Sequence, residues 1–176
     1  MGQYYQPIIL TKKEEIRFSP HKYNESAKIM EHSYFSTPMV GLVMKYLHDK
    51  KRDDPHLVWQ GDYGEVLHIK VGKSLYVVKY ALSPDNVPKM TDTVSYRYIV
   101  NLDKGEYVDL VKCRERGDIH PLPLLTANGN GQGCGDYFGT RLELVGSWAG
   151  DHISVSDDRN DIAGKKEIEA YFNDDE

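Results

Sequence analysis

Residues 36–52 hold the one long stretch with a helical apolar stripe, and that limits what the rest can be. Ser36-Thr37-Pro38 opens it. Thr37 can cap, and Pro38 at the first helical position gives up an N–H that has no intrahelical partner. Val40, Val43, Met44 and Leu47 follow at i, i+3, i+4 and i+7, one face that must be buried. His48-Asp49-Lys50-Lys51-Arg52 places cations in the last turn, against the negative end of the helix dipole. A chain with one such helix has to bury it on β structure.

The remaining apolar runs are short and bounded by turn residues. Tyr4–Leu10 is β-branched and aromatic, but Pro7 cannot donate to a ladder, which predicts an edge strand or two short pieces. Glu14–Phe18 is expected to return antiparallel to it. Leu57-Val58-Trp59 reads as a strand ending in the turn 60–64. Val66–Val71 and Leu75–Val78 form a hairpin about Gly72-Lys73. Ser83–Asp92, with Pro84 and Pro88, is a loop. Ser95–Leu102 and Glu106–Val111 make a second hairpin about Asp103-Lys104-Gly105. Lys112–Gly117 reads as exposed, Ile119–Leu125 as a buried extended segment, Leu142–Val145 and Ile153–Val155 as strands, and Lys165–Phe172 as a short helix. No βαβ repeat is present. The expectation is one α+β domain over 1–172, a mainly antiparallel sheet of about six strands with one long helix packed on it. An acidic tail, 173–176, is expected to fray.

At 176 residues with 40% hydrophobic content, the chain suffices for one real core. Thirteen tyrosines against four phenylalanines suit half-buried strands. The net charge is −5, and nine acidic against three basic residues in 151–176 leave the first 150 near neutral at +1. That disfavours direct nucleic-acid binding. No apolar run approaches the length of a membrane span. Two cysteines without a CxxC pair and a polar N-terminus point to the cytoplasm.

Glycine is concentrated in the stretch Leu125–His152, which carries Gly129, Gly131, Gly133, Gly135, Asp136 and Tyr137, then Trp148-Ala149-Gly150-Asp151-His152. A dinucleotide fingerprint fails here, because the third glycine position falls on Cys134, Asp136 or Phe138. Gly72-Lys73-Ser74 mimics the end of a phosphate-binding loop, but its first glycine position is Leu67. What remains is a surface connection, or a loop whose backbone lets a ligand or partner approach closely. The Trp148 segment echoes Trp59-Gln60-Gly61-Asp62-Tyr63 half a chain earlier. The plain explanation is a buried tryptophan followed by a glycine turn with an aspartate bonding its backbone. The functional one gathers Asp62, Asp136 and Asp151, with His120 and His152, into an acid–base or metal group. Cys113, His120 and Cys134 have metal-ligand atom types but match no zinc spacing, so no metal site and no cofactor is assigned. A thiol pairing of Cys134 with His120 or His152 has no sign of an activated sulfur. His32, in Glu31-His32-Ser33-Tyr34, reads as a hydrogen-bonded, partly buried histidine.

Met1-Gly2-Gln3-Tyr4-Tyr5, Lys28–Tyr34, Val58–Tyr63, Tyr98–Asn101 with Lys104–Asp109, His120–Thr126 and Val145–Asp151 occur in this order. Together they resemble a family of small uncharacterised bacterial, phage and prophage proteins, across nearly the whole chain. The resemblance implies a mobile-element setting and assigns no catalytic residue. By analogy with small acidic inhibitors of host defence, CRISPR nucleases among their targets, the first expectation is a non-catalytic binding protein. Its partner would be a host protein or protein–nucleic acid complex. Its contact residues would be Gly129, Gly131, Gly133, Gly135, Asp136, Tyr137, Trp148, Asp151, His152, Trp59, Asp62 and Tyr63. The second expectation is a small hydrolase or nucleotide-processing enzyme using Asp62, Asp136, Asp151, His120 and His152, with or without a divalent metal.

Overall fold

The structure, a computed structural model, describes residues 2–84 and 86–174. Strands β1 (Tyr5–Leu10) and β2 (Glu15–Arg17) come first, then helices α1 (Ile29–His32) and α2 (Pro38–Asp49). β3 (His56–Gly61), β4 (Leu67–Val71), β5 (Ser74–Val78), β6 (Tyr98–Asn101) and β7 (Glu106–Asp109) follow. Helices α3 (Leu110–Arg116) and α4 (Pro121–Leu125) lead to β8 (Ala127–Asn128), β9 (Ile153–Ser156) and β10 (Lys166–Glu167). The class is α+β with mainly antiparallel pairing and one long helix, as the sequence implies. The strands divide among three sheets, ordered β2-β1-β3-β8, β10-β7-β6-β9 and β4-β5.

Helix α2 lies against β9 and buries Met39, Val40, Leu42, Val43, Met44 and Leu47, a wider face than the stripe alone. Thr37 makes no side-chain cap; Glu25 Oε1 accepts the Met39 N–H at 3.2 Å instead. A single hydrophobic cluster runs from Tyr5 to Phe172 and joins α2 to both four-stranded sheets. A smaller one, Ile8, Leu10, Val58, Val71 and Val78, lies between the β4–β5 hairpin and the first sheet. β1 is therefore covered on both faces: Tyr5 and Ile9 join the large cluster, Ile8 and Leu10 the small one.

Six local expectations are corrected. β1 is a central strand, not an edge. Pro7 is tolerated because the opposite residue, Trp59, sends its N–H away to Thr126 O, while the Pro7 carbonyl accepts from Phe18 N beyond the end of β2. The charged run 112–117 is mostly α3, capped by Asp109, whose Oδ1 accepts the Val111 N–H, and anchored by buried Leu110 and Cys113. The 119–125 segment is buried but helical at 121–125. Pro121 and Pro123 both fall in its first turn, where N–H groups have no intrahelical partner. Leu142–Leu144 is a 3₁₀ turn closed by local bonds, and Lys165–Phe172 is not helical but holds the short strand β10. In the latter, β10 runs parallel to β7, and Ala170 and Phe172 are buried two residues apart, a strand period. Asn173 is not frayed: its carbonyl accepts from Thr140 N and Tyr137 OH. Residues 175 and 176 of the expected tail lie outside the described residues.

Candidate functional site

The glycine loop closes around Gln3, which no local pattern marks as a site residue. Gln3 is fully buried. Its Nε2 donates to Gly129 O at 2.6 Å and to Asp136 Oδ2 at 2.8 Å, and its Oε1 accepts the Tyr63 N–H at 3.3 Å. The same Asp136 oxygen accepts the backbone N–H groups of Gly131, Gln132 and Gly133 at 2.8, 2.9 and 3.0 Å. Asp136 Oδ1 accepts the Tyr5 hydroxyl at 3.0 Å. Burial first, and then the adjacent Asp136 carboxylate, push the Tyr5 hydroxyl pKa upward. Successive N–H groups converging on one point form an anion nest. Here the nest is filled by the chain's own carboxylate, so the loop offers no vacant phosphate cradle. The glycines serve close packing: a Cβ on Gly133 would lie 2.6 Å from Gln3 N, and one on Gly129, at φ +108°, 2.8 Å from Gly64 Cα.

The two Trp-Gly-Asp segments differ in structure. Trp59 is in mid-strand and its Nε1 donates to His32 Nδ1 at 3.0 Å; Trp148 is in a turn and its Nε1 donates to Glu106 Oε2 at 2.8 Å. Asp62 Oδ1 accepts the Tyr4 N–H. Asp151 accepts from Asn101 Nδ2 at 2.9 Å and from Lys104 Nζ. The Asp151 backbone meets Leu57, near the start of β3, whereas Asp62 follows the end of β3. Five residue steps separate those points, about 16 Å along a strand. Asp62 and Asp136 share the Gln3–Tyr5 neighbourhood, and Asp151 does not join them. Among the described residues, no group of three or more His, Cys, Asp or Glu side chains is arranged to hold a metal ion.

The histidines fall into three environments. His32 is fully buried with both nitrogens engaged: Trp59 donates to Nδ1, so Nε2 carries the proton toward Ser26 O at 2.6 Å. Burial lowers its pKa to about 4. His152 stacks on His56, ring centroids 5.4 Å apart, and its pKa is lowered by burial and then by that neighbour. His120 is buried at the start of α4. The Leu122 N–H donates to its Nδ1 at 3.2 Å, so Nε2 carries the proton, and this buried atom has no hydrogen-bond partner among the described residues. Burial lowers its pKa to about 3. His120 is part of the wall of a cavity of ≈ 260 Å³ beside α2. Neither cysteine joins these groups. Cys113 is buried, its thiol pushed up to about 12, and Cys134 is exposed.

Of the expected contact residues, Trp59, Trp148 and Tyr137 have no exposed surface, and of the three Tyr137 lines the cleft beside the loop. Gly131 is exposed at the loop rim, and Tyr63 projects beside Asp62. Two apolar side chains that the sequence reading passed over are presented outward, Phe138 at 67% and Leu142 at 51% exposure. They flank an open cleft of ≈ 540 Å³ whose other wall is Asn128, Gly129, Asn130 and Gly131. Adjacent apolar residues after a glycine loop were the available signal.

Fold and site together define an α+β protein with a self-satisfied glycine loop and an apolar-flanked cleft. No protein-family model, curated protein or solved structure matches the chain. Among the described residues, no helix is long and apolar enough to cross a membrane.

Proposed function

We propose that this is a non-catalytic binding protein whose contact face is the glycine-loop cleft between Phe138 and Leu142. The observation that carries this reading is the state of Asp136. A carboxylate that accepts five hydrogen bonds, four of them on one oxygen, has its oxygens committed to fixing the loop. A loop so fixed is a preorganised surface, and preorganisation lowers the ordering cost of binding. Exposed Phe138 and Leu142 supply the apolar anchors such a surface needs. In the mobile-element setting that the resemblance implies, the partner is a host protein or protein–nucleic acid complex in the cytoplasm, a defence enzyme such as a CRISPR nuclease among them, and binding inhibits it. The competing hydrolase reading draws no support from Asp62, Asp136 and Asp151, which are engaged separately.

The test is quantitative capture from host lysate, with cross-linking, by the natural protein and by a Phe138→Ser, Leu142→Ser double variant. A stoichiometric partner retained by the first and lost by the second supports the reading. No stoichiometric partner, or equal retention by both, overturns it. Addition of the captured protein to the partner's own assay then distinguishes inhibition from mere association.

A further inference from the structure

The cavity beside α2 is independent of the glycine-loop face and has the composition of a small-molecule site. Pro38, Val40 and Met44 of α2 form one wall, Leu110 and Val111 another, and Phe35 a third. An extended strap that includes Thr93–Tyr96, outside any helix or strand, crosses over α2 at Gly41. A Cβ on Gly41 would lie 2.7 Å from Thr93 Cβ, so glycine lets the strap sit close. A volume of ≈ 260 Å³ is larger than the cavity of about 150 Å³ that admits benzene and just below the usual range for ligand pockets. It suits a molecule of one ring with a short substituent.

Two polar features say what that substituent is. His120 Nε2–H is a buried donor with no acceptor among the described residues, the kind of group that native proteins satisfy with water, an ion or a ligand. Its imidazole packs on Phe35 with ring centroids 4.7 Å apart. The Arg114 guanidinium lies 5.6 Å from the same Phe35 ring centroid and has no carboxylate partner among the described residues. Donor and cation thus sit around one aromatic ring.

We infer that this cavity binds a small aromatic monocarboxylate, its ring between Phe35, Met44 and Leu110, one carboxylate oxygen accepting from His120 Nε2–H, and its charge balanced by Arg114. A carboxylate matches this lining: His120 Nε2–H donates to one oxygen, and the hydroxyls of Ser36, Thr37, Thr93 and Ser95 are in the lining to serve the other. Binding requires no change at the glycine-loop face.

The probes are phenylacetate and its neutral analogue phenylacetamide, titrated against the full chain while the imidazole ¹⁵N resonances are followed by NMR. Phenylacetate is expected to shift the His120 Nε2 signal saturably. Phenylacetamide is expected to bind about tenfold more weakly, the scale of one charge-assisted interaction. Val111→Trp narrows the mouth from a half-exposed position and is expected to abolish the shift without lowering the urea midpoint. Arg114→Gln is expected to erase the difference between the two probes. His120→Asn keeps an acceptor for the Leu122 N–H and leaves no donor at the Nε2 position, which the shorter amide does not reach, and should weaken phenylacetate about tenfold. No saturable shift at the solubility limit overturns the inference, as does a shift that survives Val111→Trp. Equal binding of the two probes to the natural protein overturns the carboxylate assignment.

Discussion

Asp136→Ala gives the most demanding check on the reading of the glycine loop. The substitution removes the acceptor of five hydrogen bonds. Two of the donors, the Gln3 amide and the Tyr5 hydroxyl, belong to fully buried side chains with no route to water. Each buried donor left unsatisfied costs about 1–3 kcal/mol. The three backbone N–H groups lie at the rim, where Gly131 and Gln132 are exposed, and water replaces the carboxylate there at small cost. The expected loss is about 2–5 kcal/mol, a large share of a typical stability of roughly 5–15 kcal/mol. With a urea m-value of about 2 kcal/mol per M, the midpoint falls by about 1–2.5 M. Asp136→Asn keeps one oxygen for Gln3 and the loop N–H groups but turns an amide N–H toward the Tyr5 hydroxyl, and should cost about 1–2 kcal/mol, less than alanine. Equilibrium urea unfolding followed by tryptophan fluorescence reads both variants. A loss below about 0.5 kcal/mol for the alanine variant, the level of an ordinary surface substitution, would refute the reasoning. It would also reopen the catalytic reading, since removing a strained catalytic group tends to leave stability unchanged or raise it.

Three further outcomes follow from the same structure. His32 and His120 have folded pKa values near 4 and 3, below the unfolded value of 6.5, so the unfolded chain binds more protons as pH falls and stability drops. From pH 7 to pH 5 the two together remove about 3–4 kcal/mol, which Glu25, its carboxyl pKa raised by burial, offsets in part; equal urea midpoints at the two pH values would contradict this, and His120→Asn should roughly halve the slope. Gly133→Ala should destabilise by about 2–4 kcal/mol through overlap with Gln3, whereas Gly131→Ala, with open space but φ +96°, should cost only about 1 kcal/mol; comparable unfolding curves for both would show that close packing is not the role of Gly133. Iodoacetamide at pH 8 should label one thiol per chain, Cys134, with Cys113 reacting only after unfolding; mass spectrometry of the digested protein identifies the site.

The sequence made α2 legible because its apolar period is long and its ends are marked. The two central hairpins were legible because Gly72 and Gly105 both adopt the positive φ their turns require. Short segments were lost where two periods coincide. Leu142 and Leu144 alternate like a strand, yet the backbone satisfies itself by local turns. Ile168, Ala170 and Phe172 carry a period of two that was overlooked in a charged segment. Pro7 misled because the cost of a proline depends on which neighbour its missing N–H would face, a tertiary fact. At the site, the sequence showed glycines and an aspartate but not their common partner. Gln3 lies more than 120 positions from Gly129 and Asp136, and nothing local marks it as their hub. His120 was named from its atom type, while its role comes from the cavity that α2, α3 and the strap enclose.

The proposed function depends most directly on the glycine-loop cleft being a contact face. A photo-reactive phenylalanine analogue placed at position 138, and separately at 142, tests it in host cells under irradiation. Position 75 is the control, since Leu75 is as exposed as Phe138 but lies on the β4–β5 hairpin. The account predicts one discrete adduct, shared by positions 138 and 142 and absent at 75. No adduct at 138 and 142, or the same adduct from all three positions, would contradict it.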